Sequence, residues 1–184
     1  MMMDNITKEI RGIFEKKKLS SEPFNNNLDA WNLACVSMDA LEDTLLALNY
    51  YEKHKGSNCD GARYLRLYGV LQSIFIQQDA IKFLCKILIG CFEEGKYKLS
   101  SWKEIRDLRN LTVGHPLNKN SNKRCYITRM SISKDAFRYI IWDKSKRKDI
   151  FCKADLKGLI DGYKKEAIII LQDILNILKS DYQY

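Results

Sequence analysis

Proline is nearly missing from this 184-residue chain, at two positions, and glycine occurs only nine times. Long helices can therefore run without a break, because these two residues are the strongest interrupters of helices. No uncharged apolar run reaches about 18 residues, so no segment reads as a membrane span. The nearest approach, Ile81 to Phe92, carries Lys82 and Lys86. The opening residues M-M-M-D-N-I-T-K-E lack the apolar centre of a secretory signal. None of the six cysteines (35, 59, 85, 91, 125 and 152) stands in the C-x-x-C spacing of a zinc or redox site. There are two histidines, no H-x-x-x-H and no dense carboxylate cluster, which argues against a metal hydrolase. No glycine-rich phosphate loop follows a strand, which argues against P-loop and dinucleotide-binding enzymes. The expectation is a cytoplasmic protein with six free thiols, no membrane segment, and neither metal nor cofactor.

What is present suits one folded domain over residues 1–184, with 46% apolar and 29% charged residues. The net charge is +8 and the pI about 9.1. That balance favours acidic partners such as nucleic acid, or it reflects a lysine-rich coding bias; charge alone does not separate the two.

In chain order, residues 4–18 place Ile6, Ile10, Ile13 and Phe14 on one face, a short docking helix with a basic end. Residues 19–27, with Pro23 and three consecutive asparagines, read as a loop. Residues 28–54 form an amphipathic helix along Leu28, Trp31, Cys35, Met38, Leu41, Leu45 and Leu48. His54 at its end is structural or exposed, where a cation suits the helix dipole. After a loop at 56–61, residues 62–92 read as the longest helix. Its apolar surface is nearly all round, as in a central helix or one that also faces a second subunit. Gln77, Gln78 and Asp79 break that surface; an exposed stripe is the favoured reading, a buried functional group the other. Cys35, Cys85 and Cys91 read as small core hydrophobes within helices. A loop around Gly95 leads on to residue 100. After Pro116, Asn118 to Asn122 reads as a polar loop. Cys125–Ser133 and Phe137–Trp142 read as two strands joined at Ser133-Lys134-Asp135. Lys144–Lys148 is a basic loop, and Ala154–Lys179 a final helix capped by Asp155. The expected fold is mainly α: a bundle of about four long helices plus a short N-terminal helix, with a β-hairpin inserted before the last. Antiparallel pairing would bring Lys123-Arg124 and Lys144–Lys148 to one end, tethered close to Pro116.

The most informative stretch is Ser100 to Pro116. Ser101 and Glu104 have capping-box spacing. Ile105, Leu108 and Leu111 or Thr112 give the apolar stripe. Gly114 suits a left-handed helix end, and Pro116 forbids continuation. Arg109, Asn110 and His115 gather at that end.

The segment R-D-L-R-N-L-T-V-G-H-P resembles the signature of HEPN domains, small helical bundles. Their motif is an arginine, a polar residue, then a histidine after four to six intervening positions. Here Asn110 follows Arg109, and five residues separate Arg109 from His115. The resemblance covers roughly residues 28–180. It implies metal-independent RNA cleavage at a homodimer interface, with the RNA 2′-hydroxyl as nucleophile and products ending in a 2′,3′-cyclic phosphate and a 5′-hydroxyl. His115 would be the acid–base residue, and Arg109 would hold the scissile phosphate. Asn110 would orient one of these or hold the ribose phosphate. Arg106 is an auxiliary phosphate ligand or a solvated arginine. Lys119, Lys123, Arg124, Lys144, Lys146, Arg147 and Lys148 would bind RNA. The family's settings, defence and toxin–antitoxin control, imply an antitoxin protein as partner. Where some such toxins carry a control tyrosine two residues after the histidine, this chain has Leu117.

The chemistry agrees in outline. Phosphoryl attack needs a group titrating near neutrality, which histidine supplies, and a fixed planar cation on a phosphoryl oxygen. Geometry adds a demand. At about 100° per residue, six steps leave Arg109 and His115 on different faces of an ideal helix. They converge only if the helix ends and the chain turns, or if a second subunit supplies one of them. Three readings stay open: a ribonuclease, a non-catalytic HEPN-like module that binds RNA or protein, and an unrelated helical protein in which Asn110 and His115 satisfy a helix end. A cysteine nucleophile paired with His115 is also compatible, though nothing marks one cysteine.

Overall fold

The computed structural model describes residues 2–16, 18, 20, 24–54, 56, 59–116 and 122–180. Among these the chain is mainly helical, with five helices and a three-stranded antiparallel sheet before the last of them. The helices are α1 (Met2–Phe14), α2 (Leu28–Lys53), α3 (Asp60–Ile89), α4 (Ser100–Arg109) and α5 (Leu156–Ser180). The strands are β1 (Lys123–Ile127), β2 (Ala136–Asp143) and β3 (Lys148–Asp155). The stretches read as loops at 19–27, 56–61 and 118–122 fall partly outside the described residues; Pro23, Leu117 and Lys119 fall wholly outside.

Contacts sort the described residues into two compact units. The first draws on residues 1–47, 76–99 and 164–184. In it α1 buries Met3, Ile6, Ile10 and Phe14, the one-sided pattern that its three- and four-residue spacing dictates. Arg11, on the other side, forks between Asp39 at 2.6 Å and Glu42 at 2.8 Å. Phe14, Phe24 and Trp31 pack as an aromatic triad with centroids 4.9–5.9 Å apart. Asn27 caps α2 by accepting from the Ala30 amide at 3.1 Å. Asn25 and Asn26 take the left-handed backbone, with φ of 48° and 64°, which asparagine tolerates best among side-chain-bearing residues. Leu28, at the first turn of α2, is 57% exposed rather than part of the buried stripe.

Two expectations fail in this unit. Gln77 and Gln78 are wholly buried, not an exposed stripe. A buried amide needs partners, and one is Thr44. Its hydroxyl donates to the carbonyls of Ala40 and Leu41 and accepts from Gln77 Nε2 at 3.1 Å. Helix α3 also stops at Ile89, because Gly90 turns left-handed at φ 92°. Cys91 consequently lies outside the helix and is exposed.

The second unit draws on residues 48–75 and 100–163. The sheet order is β1-β2-β3, with Cys125 opposite Ile141 and Tyr139 opposite Cys152. The expected hairpin is therefore two strands of a three-stranded meander. The third strand occupies residues 148–155; from sequence, Lys148 read as the end of the basic loop, Ala154 and Asp155 as the start of the last helix, and 149–153 had no assignment. Asp155 closes β3 and caps α5, with Oδ1 accepting from the Gly158 amide at 3.0 Å. Asp155→Ala should cost about 0.5–2 kcal/mol, read as a lower urea midpoint with an unchanged slope.

The motif helix is held from one side. Trp102, Ile105 and Leu108 are buried, and the Trp102 ring lies 5.4 Å from that of Tyr163 on α5. A Cβ at Gly162 would collide with the Ser101 side chain, so glycine there lets α5 approach the start of α4. Helix α4 begins at Ser100, ahead of the expected Ser101 cap, and its α-geometry ends at Arg109, ten residues later. The segment beyond is a different structure.

Candidate active site

Residues Asn110–Gly114 form a π turn, closed by the His115 amide donating to the Asn110 carbonyl at 2.8 Å. One local cause is Thr112. Its buried hydroxyl donates to the Leu108 carbonyl at 2.7 Å, competing for an acceptor that an α-helix gives to an amide. A π turn advances less per residue than an α-helix, so the ideal-helix phase between Arg109 and His115 does not apply. Gly114 is not left-handed, contrary to expectation. Its role is clearance: a Cβ there would stand 2.6 Å from Arg109 Nη1 and 3.1 Å from Cζ. The Arg109 guanidinium thus lies folded against the residue immediately before His115.

That guanidinium is fixed on several sides. Nε and Nη2 donate to Gln72 Oε1 at 3.1 and 2.6 Å, and Nη1 donates to Asn110 Oδ1 at 3.0 Å. The plane lies over the Phe75 ring, 4.0 Å from its centroid, and Arg106 lies over the same ring at 4.0 Å. Arg106 and Arg109 share a face of α4 by three-residue spacing, and Gln72 and Phe75 share a face of α3 in the same way. Both hydrogen-bond acceptors are neutral amides, so Arg109 is oriented without being neutralised. A positioned cation of that kind can meet a phosphoryl oxygen with a preset fork. His115 is exposed, and its ring makes no hydrogen bond among the described residues. From sequence Phe75 read only as part of the broad apolar surface of its helix, and Gln72 was not singled out. They lie some 35 residues before the motif, and only helix pairing reveals them.

The basic residues expected to bind RNA sit at one end of the sheet. Lys119 is outside the described residues. The Cys125 amide donates to the Pro116 carbonyl at 3.4 Å, which places β1 beside the site's exit. Lys123 is two residues from Cys125, about 7 Å along the strand. Lys123 pairs with Asp143, and Asp143 with Lys148. The turn carrying Lys144, Lys146 and Arg147 is built on the buried Asp143. Its Oδ1 accepts from the Ser145 hydroxyl at 2.6 Å and from the amides of Ser145 and Lys146 at 3.0 and 3.2 Å. The Ser145 hydroxyl, aided by those amides, holds the Asp143 carboxyl below its usual range. All three turn cations, and Lys148, are exposed. None is hydrogen-bonded to Arg109, Asn110 or His115.

The remaining candidates are quieter. His54 is exposed, donating from Nδ1 to the Tyr50 carbonyl at 2.8 Å and stacking on the Tyr50 ring. Cys125, the cysteine tied to Pro116, has a thiol pushed by burial up to about 11, which disfavours a nucleophilic thiolate. Among the described residues no group of three or more histidine, cysteine or acidic side chains is placed to hold a metal ion. No described helix is long and apolar enough to cross a membrane. Comparison with family models, curated proteins and solved structures finds no match to this chain.

Proposed function

We propose that this chain is a metal-independent endoribonuclease of the HEPN type. The observation that carries the reading is the Arg109 guanidinium, oriented by Gln72, Asn110 and Phe75 and folded over Gly114 next to an exposed His115. In the proposed reaction the RNA 2′-hydroxyl attacks its adjacent phosphorus. The bond to the departing 5′-oxygen breaks, leaving a 2′,3′-cyclic phosphate and a 5′-hydroxyl. His115 relays the proton between the attacking and leaving oxygens. Arg109 carries the charge that builds on the non-bridging oxygens, and Asn110 holds Arg109 in place. Arg106 is a second phosphate contact on the same ring. The bundle of about four long helices with a short N-terminal helix belongs to this reading. So does a homodimer that brings two copies of the motif into one cleft. Leu65 and Tyr68, at 74% and 41% exposure on α3, support a second copy, because large apolar side chains exposed together on one helix call for a partner. Action in the cytoplasm, in defence or under an antitoxin, goes with the same reading. The alternative, a non-catalytic HEPN-like module, keeps RNA or protein binding and drops the chemistry.

The deciding experiment incubates purified protein with a mixed RNA pool in EDTA and reads the product ends. Cyclic phosphate and 5′-hydroxyl ends support the ribonuclease. Products with 5′-phosphate ends, or activity abolished by EDTA, contradict it. Absence of cleavage with retained RNA affinity favours the binding module.

A further inference from the structure

Alternation along the three strands sends Cys125, Phe137 and Ala154 to the buried side of the sheet. The opposite side carries Arg124 and Tyr126 on β1, Arg138, Ile140 and Trp142 on β2, and Asp149, Phe151 and Lys153 on β3. This surface follows from strand register. Tyr126, Ile140 and Phe151 stand directly opposite one another across the strands, and Arg124 and Asp149 flank Trp142 in the next row. Phe151 is 77% exposed and Tyr126 51%.

Two features of this face point to the same partner. Large rings stand out from a well-paired sheet, spaced across it by two strand separations, about 10 Å from Tyr126 to Phe151. The cations interleaved with them are not neutralised: among the described residues none of Arg124, Arg138 and Lys153 forms an ion pair. Arg138 and Lys153 are even direct cross-strand neighbours, a like-charge pair that destabilises a sheet unless an anion lies between them. They also line a cavity of about 500 Å³ at that end of the sheet. Two carboxylates, Asp149 and Asp155, share this face. Asp155, further along, gives an oxygen to the cap of α5. The basic turn of Lys144, Lys146, Arg147 and Lys148 continues the positive charge beyond the opposite end.

We infer that this outer face is a stacking platform for single-stranded RNA, with Tyr126, Trp142 and Phe151 receiving bases and Arg124, Arg138 and Lys153 receiving phosphates. Aromatic side chains set among cations on an open sheet match an unpaired strand, whose bases expose their faces; a duplex hides them. The inference rests on RNA as the ligand but not on cleavage, and it places the strand on β-structure rather than on the Arg109 site alone.

The test uses full-length protein carrying His115→Ala, so that cleavage does not distort the readings. The probe is a fluorescein-labelled 15-nucleotide single-stranded RNA, alone or annealed to its complement, in a fixed salt concentration. The single strand should bind at least 10-fold tighter than the duplex. Tyr126→Ala and Phe151→Ala should each weaken it about fivefold or more, in the range known for loss of one stacked base. Both side chains are exposed, so melting temperatures should hold. Binding should quench tryptophan fluorescence, and Trp142→Phe should remove most of the quench. Equal affinity of the two alanine variants and their parent overturns the platform, as does equal binding of the duplex. An absence of single-strand binding also overturns it, and leaves the face to a protein partner. Cleavage in EDTA by the unmodified protein is judged separately. Undiminished binding by the variants alongside cleavage removes the platform and keeps the ribonuclease. Weakened binding without cleavage does the reverse.

Discussion

Replacing His115 by alanine should lower RNA cleavage by about 10²–10⁴-fold, the usual loss when a positioned acid–base group is removed. The loss should appear in kcat, with RNA affinity nearly unchanged, because the proton moves only as the phosphorus bonds change. The fold should not notice. His115 is exposed, its ring makes no hydrogen bond among the described residues, and its backbone amide still closes the π turn on Asn110. A surface change of that kind shifts stability by less than about 0.5 kcal/mol. Single-turnover cleavage of a defined RNA, with a melting curve for each protein, checks both halves. Equal cleavage by the two proteins would move the chemistry elsewhere.

Gly114→Ala should be nearly as damaging, about 10²-fold in cleavage, although alanine is the smallest side chain that can be added. The new methyl would occupy space 2.6 Å from Arg109 Nη1. Backbone cannot yield readily, but the end of an arginine can, so the guanidinium swings away. In doing so it leaves Gln72, Asn110 and the Phe75 ring, the groups that orient it. Stability should fall by no more than about 1 kcal/mol, since the displaced head regains water. The discriminating measurement is a double-mutant cycle. If Gly114 acts through Arg109, then Gly114→Ala should add little to Arg109→Ala. Additive losses would mean that glycine serves the turn itself. Arg109→Lys should not restore activity, because a point charge cannot make the planar fork to Gln72 and Asn110.

Much of the helical frame was legible because helix information is local. Apolar residues three and four apart set the buried sides of α1, α2, α3 and α5, and Asp155 marked the cap of α5, whereas Asn27, which caps α2, read only as loop. The errors have specific causes. Helix α3 was carried past Gly90 because a glycine in an apolar run does not announce its φ. Gln77 read as solvated because its partner Thr44 lies 33 residues earlier, and Gln78 was read with it. Strand β3 was missed because K-D-I-F-C-K-A-D holds only the short apolar run I-F-C between charged residues; only pairing with β2 makes it a strand.

By itself, the sequence determined the main helices and the Arg109-Asn110…His115 spacing. It also determined the basic cluster between residues 144 and 148, because each is a property of neighbours along the chain. The tertiary structure alone decided what the motif arginine rests on, since Gln72 and Phe75 reach it only through the packing of α3 against α4 within one unit. It alone decided that the segment after Arg109 widens into a π turn, where a threonine hydroxyl competes for a backbone acceptor. And it alone decided that Tyr126, Trp142 and Phe151 share an open face with Arg124, Arg138 and Lys153. That face depends on the register of three strands, and a shift of one residue would turn every one of those side chains inward.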